Sequence, residues 1–166
     1  LNDNMIENEG TVNGVILSAS GDVVEPLSFA LMSTPDNLVP TSNSYCNFLN
    51  PVKQNGNGMT KAVVGEVYNL GDSQFEIIAP LSDESDDLNN YSVVCIFRYG
   101  ENTALFGGDA SKSEEDDILE SGINTDIDLL NVFHHGSSSS SSKEFLYKAS
   151  PEYCVIMCGA DNSYGH

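Results

Sequence analysis

Short apolar runs alternate with polar breaks rich in glycine, serine and asparagine along most of the chain, and the spacing predicts strands more often than helices. Val67-Tyr68 and the run from Gln74 to Ala79 flank Asn69-Leu70-Gly71-Asp72, whose composition predicts a tight hairpin turn and makes Asp72 a turn residue rather than a ligand. Tyr91 to Tyr99 and Asn102 to Phe106 predict two core strands joined through Gly100-Glu101. Leu129 to Phe133 predicts another, running directly into His134 and His135, and a last strand follows Pro151 and carries Cys154 and Cys158. Nearer the start, Val15-Ile16-Leu17 and Phe29-Ala30-Leu31-Met32 read as buried strands, Ser44 to Leu49 as a short helix and Asn55-Gly56-Asn57-Gly58 as a loop.

Two helices are legible from their ends. Ser113 is placed to cap a helix whose first turn, Glu114 to Asp117, suits the positive end of the helix dipole and which Gly122 stops; the acids there are expected to serve the helix. Ser142 is placed to cap Lys143 to Lys148, which must end before Pro151. Between His-His-Gly and this cap lie the serines from Ser137 to Ser142, read as a short loop facing the candidate site rather than a flexible linker. No serine stands in a nucleophile-elbow setting.

Charge changes the picture. Six basic against twenty-five acidic residues give a formal charge of −19, which opposes general binding to a polyanion unless metal ions or a local basic patch intervene. Apolar residues make up 40% of the 166, so the acidity reads as the solvated surface of a single domain, residues 1–166. The acidic stretch Asp83 to Asp87 lacks the central glycine and ligand alternation of a calcium loop and reads as solvated. Cys46, Cys95, Cys154 and Cys158 form no Cys-x-x-Cys pair and are expected to be buried thiols; Cys154 and Cys158, four residues apart on one strand, would lie about 13 Å from each other, too far for a disulfide.

Two segments carry candidate chemistry: Phe106-Gly107-Gly108-Asp109-Ala110 and Asn131-Val132-Phe133-His134-His135-Gly136-Ser137. In each, an apolar run ends abruptly in metal-capable side chains beside glycine. Carboxylate oxygen and neutral imidazole nitrogen at strand mouths suit Zn²⁺, Mn²⁺ or Fe²⁺, and such an ion can generate hydroxide from bound water. Strand alternation would turn His134 and His135 to opposite sides, leaving open which faces the site.

These motifs together resemble the metallo-β-lactamase-fold hydrolases, in particular the domain of ComEC-type competence (DNA-uptake) proteins and their stand-alone relatives. The resemblance runs from about Lys61 to His166: Leu70-Gly71-Asp72 leading to Phe75 to Pro80, Asn89-Asn90-Tyr91 to Val94, Gly108-Asp109-Ala110, His134 to Ser142, Phe145-Leu146, Pro151-Glu152-Tyr153, and Asn162-Ser163-Tyr164-Gly165-His166. It implies an α/β fold of the αββα sandwich type, here expected to be incomplete at both ends, and a metal-dependent phosphodiesterase or related hydrolase using Zn or Mn. Asp109 is implied as a bridging metal ligand and catalytic residue, His134 or His135 as a further metal ligand, and His166 as a ligand or substrate contact. A phosphodiester or nucleic-acid substrate is implied by resemblance and opposed by the charge. A bacterial protein at the cell surface or outside the cell is the expected setting.

One departure outweighs the agreements. The family places His-x-His-x-Asp-His after an early strand; on that spacing Ser18, Ser20 and Val23 stand where histidines belong, and only Asp22 falls on the catalytic aspartate. The chain has three histidines, His134, His135 and His166, so the full signature is absent from it. Serine is a poor zinc ligand and valine none, so metal binding and activity are expected to be weakened or lost. The alternatives are a non-catalytic binding or scaffold domain that keeps the fold, and an active hydrolase whose first metal motif lies outside these residues.

Overall fold

The computed structural model describes residues 13–16, 29–33, 58–82, 85–160 and 162–164. In chain order its elements are β1 (Asn13–Ile16), β2 (Phe29–Ser33), β3 (Gly58–Lys61), β4 (Val67–Leu70), β5 (Ser73–Ala79), β6 (Val94–Tyr99), β7 (Asn102–Phe106), α1 (Lys112–Glu120), β8 (Leu129–Asn131), α2 (Lys143–Ala149) and β9 (Tyr153–Val155). The expected strands at Val15 and Phe29 are therefore present as β1 and β2. The expected helix at 44–49, the stretch holding Asp22, Cys46 and His166 lie outside the described residues.

Strands β1 to β3 form one sheet, with β1 antiparallel to β2 and β2 parallel to β3. Strands β4 to β9 form a six-stranded sheet in sequence order, antiparallel from β4 to β7 and parallel from β7 through β9. The change of sense follows from the connections: two-residue turns join β4 to β5 and β6 to β7, residues 80–93 join β5 to β6, and α1 and α2 carry the chain across to β8 and β9. The mixed α/β class is as expected. The β4–β5 hairpin closes on Gly71, whose φ of +60° favours glycine, so Asp72 is a turn residue as predicted.

Alternation along the strands sends side chains to two apolar clusters. Ile78, Val94, Ile96, Leu105 and Leu130 pack with Ile118 of α1 and with Phe145 and Ala149 of α2. Phe75, Ile77 and Cys95 point the other way, together with Val93 and Ala62, and Tyr68 stacks on Phe75 with ring centroids 5.0 Å apart. A register shift between Ile77 and Ala79 lets both Ile78 and Ala79 join the helix-side cluster.

Several boundaries differ from the sequence expectation. The strand expected from Tyr91 begins at Val94, because Leu88–Tyr91 forms a 3-10 turn capped by the Asp87 side chain on Asn89 N at 3.0 Å. Helix α1 starts before Ser113, with Ser111 at the N-cap; the Ser111 hydroxyl donates to Asn90 Oδ1 at 2.5 Å instead of capping, and Ser113 accepts from Asn90 Nδ2 at 2.7 Å. Cys95 is buried, as expected of the cysteines, and burial pushes its thiol up to about 11; Cys154 and Cys158 are exposed, because β9 is the edge strand and ends at Val155. Among the described residues no helix is long and apolar enough to cross a membrane.

Helix α2 is capped as predicted, with the Ser142 hydroxyl accepting from Phe145 N at 3.2 Å. Ser142→Ala is expected to cost about 1 kcal/mol, lowering Tm by roughly 2–4 °C. An unchanged thermal midpoint would show that the cap contributes nothing.

Candidate functional site

Asp109 follows the end of β7 by way of Gly107 and Gly108. Asp109 is buried, and its backbone N–H donates to Ser92 Oγ at 3.1 Å, fixing the turn against the segment that leads into β6. Gly107 is required by a close approach: a Cβ there would lie 2.1 Å from Cε1 of Phe133, whose ring is fully buried. The two candidate segments are thus packed on each other at their backbones, and His134 N donates to Gly108 O at 2.8 Å.

The second segment does not run as a strand into its histidines. Strand β8 stops at Asn131, and Phe133–Gly136 is a tight turn in which His134 (φ 48°) and His135 (φ 55°) both occupy the left-handed region. The expectation that strand alternation separates the two rings is corrected accordingly; the turn sets their directions. Left-handed backbone at two successive non-glycine residues costs on the order of 1–3 kcal/mol each and persists where the surroundings enforce it, as they do at functional sites.

His135 is the ring that faces Asp109, with Nε2 3.3 Å from Asp109 Oδ1. Its Nδ1 lies 2.7 Å from Met157 O, and since a carbonyl only accepts, Nδ1 carries the proton there. In the neutral ring Nε2 then presents its lone pair to the carboxylate, an arrangement that a cation between them, or a second ring proton, would satisfy. A ring N–H held by a backbone carbonyl is also the usual support of a metal-binding histidine. Two ligands of one tetrahedral zinc ion, each about 2.1 Å from it, sit roughly 3.4 Å apart, so this donor pair fits part of such a site. His134 points elsewhere, with Nδ1 3.3 Å from Ser139 Oγ and its ring centroid 6.4 Å from that of His135.

Among the described residues, no group of three or more His, Cys, Asp or Glu side chains gathers closely enough to hold a metal ion. Asp22 and His166 lie outside the described residues.

Sequence reasoning missed the part played by α1. Glu114 and Glu115, read only as acids that serve the helix dipole, are both fully buried. The Glu115 carboxylate accepts backbone N–H groups from Ser141 and from Ser142, the latter at 2.9 Å. Glu114 Oε1 accepts Leu81 N at 2.9 Å while Oε2 has no hydrogen-bond partner among the described residues, and burial, with Asp117 adding its charge, pushes the carboxyl up to about 7 against the lowering effect of the Leu81 N–H. The available signal was spacing: Glu114 and Glu115 lie four and three residues before buried Ile118, on the inward face of the helix.

Relatives bear on these motifs. The chain is 29% identical over 118 residues to ComE operon protein 3 of Bacillus subtilis, covering 71% of this chain and 15% of that protein. It is 38% identical over 93 residues to competence protein ComA of Neisseria gonorrhoeae, covering 55% and 14%. It is 30% identical over 108 residues to recombination protein 2 of Haemophilus influenzae, covering 65% and 14%. Over these stretches the chain is similar in sequence to ComEC-like competence and recombination proteins. It spans only about one seventh of the length of these relatives. No family model matches the chain. Among solved structures, one described as a Zn-dependent hydrolase of the metallo-β-lactamase superfamily from Thermotoga maritima matches over 80% of this chain and 69% of its own at 11% identity, with a TM-score of 0.38.

Proposed function

We propose that this chain is a metallo-β-lactamase-like domain of the ComEC type whose Asp109–His135 corner derives from a hydrolase metal site, with metal-dependent phosphodiesterase activity weakened or lost. The observation that carries this reading is the pairing of Asp109 Oδ1 with His135 Nε2 at 3.3 Å while Nδ1 is held by Met157 O. Asp109 and His135 would hold the ion, and a bound Zn²⁺ or Mn²⁺ would supply a polarised water and charge stabilisation for attack on an ester. His134, placed on Ser139 by the turn, supports the loop beside the site, and His166 and Asp22 are further candidates for the ion and the chemistry. The scarcity of histidine supports weakened activity, since three in the whole chain cannot furnish the family's full ligand set. The formal charge of −19 adds weight against a nucleic-acid substrate for the chain on its own.

After equilibration with Zn²⁺ or Mn²⁺ the chain is expected to leave a phosphodiester such as bis(p-nitrophenyl) phosphate, and linear DNA, uncleaved above the metal-only blank. Ions retained on gel filtration are expected to number about one per chain or fewer and to disappear in Asp109→Ala and His135→Ala. Robust cleavage that Asp109→Ala abolishes would overturn the loss of activity. Retained metal that neither substitution affects would overturn the assignment of the corner.

A further inference from the structure

We propose that Glu115 is the positioning residue for the histidine turn, acting through the serine loop: its buried carboxylate fixes Ser141 and Ser142, and the loop in turn grips Phe133, the residue before His134. The inference deepens the reading of Asp109 and His135 as a site, because it names what holds one half of that site in place.

The linkage is continuous. Both carboxylate oxygens of Glu115 are engaged by successive backbone N–H groups, Ser141 on Oε1 and Ser142 on Oε2. A fully buried carboxylate is costly unless its oxygens are satisfied, and charge-assisted bonds from two N–H groups satisfy both. Ser141 is thereby kept in left-handed backbone, at φ +50°. Its hydroxyl accepts from Phe133 N at 3.1 Å, and the neighbouring Ser140 hydroxyl donates to Phe133 O at 2.8 Å. Both backbone groups of Phe133 are therefore held by the loop that Glu115 anchors, directly before the two left-handed histidines. Helix α1 adds two more points, Lys112 N donating to Ser139 O at 3.0 Å and Lys112 Nζ to Ser138 O at 2.8 Å.

A serine-rich loop has little packing of its own to fix its shape, and the carboxylate substitutes for that packing. If Glu115 only contributed to overall stability, weakening it would loosen the whole domain evenly. If it positions the turn, the turn should open locally while the sheet stays closed.

The test is amide hydrogen exchange in Glu115→Gln, which keeps the side-chain size but replaces one accepting oxygen with an NH₂ group. The Phe133 and His134 amides are expected to exchange about tenfold faster or more than in the parent chain, while the Ile96 and Leu105 amides in the sheet change only with the global stability of the variant. Ser140→Ala cuts the next link with Glu115 intact and should accelerate the same two amides; it decides the question by the same criterion if Glu115→Gln does not fold. Acceleration at Phe133 and His134 that is absent, or that merely tracks Ile96 and Leu105, would overturn the proposal. No metal or substrate enters the measurement, so its outcome is separate from whether Asp109 and His135 bind an ion.

Discussion

Gly107→Ala is expected to destabilise the chain by about 3 kcal/mol or more, and the variant is expected to unfold at a clearly lower denaturant concentration than the parent or to fail to accumulate. The added methyl would sit 2.1 Å from Phe133 Cε1 and nearly as close to two other atoms of that ring. The ring has nowhere to retreat, since Phe133 is fully buried and tilted against Phe145 with centroids 5.2 Å apart. Phe133→Leu leaves room at that point, so the double variant Gly107→Ala/Phe133→Leu should lose less than the two single variants added together. A coupling energy near zero, or a Gly107→Ala midpoint equal to that of the parent, would show that the close approach does not constrain the fold.

The second large effect concerns pH. The folded chain holds the Glu114 proton up to about pH 7, whereas the unfolded chain releases it near the ordinary value of 4.5. Between these values the folded state binds more protons, so the contribution of Glu114 to stability is fully present below about pH 4.5 and is lost as pH rises towards 7. Glu114→Gln keeps an acceptor for Leu81 N and cannot ionise. The stability of the variant relative to the parent is therefore expected to shift in its favour by about 3 kcal/mol across that window, read from urea midpoints at a series of pH values. A difference between the two proteins that stays constant from pH 4 to pH 8, roughly the span over which the linkage must act, would disprove the burial account of Glu114.

Much of this architecture is legible in the sequence alone. The β4–β5 hairpin, the β7 strand and the Ser142 cap depend on local rules of turn composition, alternation and capping, and those rules were not opposed by tertiary contacts. Asp109 and the histidines stood out as candidates because metal-capable side chains lie beside glycine at the ends of apolar runs, and Asp109 and His135 do meet. The failures have a common cause. Ser111 looked no different from Ser113 as a cap until Asn90, more than twenty residues earlier, claimed both hydroxyls. Likewise Leu129 to Phe133 has strand composition throughout, yet Phe133 is withdrawn from the sheet by hydrogen bonds to Ser140 and Ser141. Which histidine meets Asp109 was decided by left-handed backbone at His134 and His135, a conformation their residue types do not signal. Glu114 and Glu115 were misjudged because acid in a first helical turn has a sufficient surface explanation, and nothing local reveals that a loop would fold over it.

The switch in strand sense at β7 also has a consequence for the order in which the molecule assembles. Strands β4 to β7 pair antiparallel with their neighbours along the chain, two of the three connections being two-residue turns, while β8 and β9 arrive only after the longer crossovers through α1 and α2 have closed. Asp109 leaves the end of the early-forming part, and His135 with its Met157 support belongs wholly to the late-arriving part. The Asp109–His135 corner is thus completed at the end of folding, and a nascent chain does not bring this carboxylate and imidazole together until the last strand of the sheet has docked.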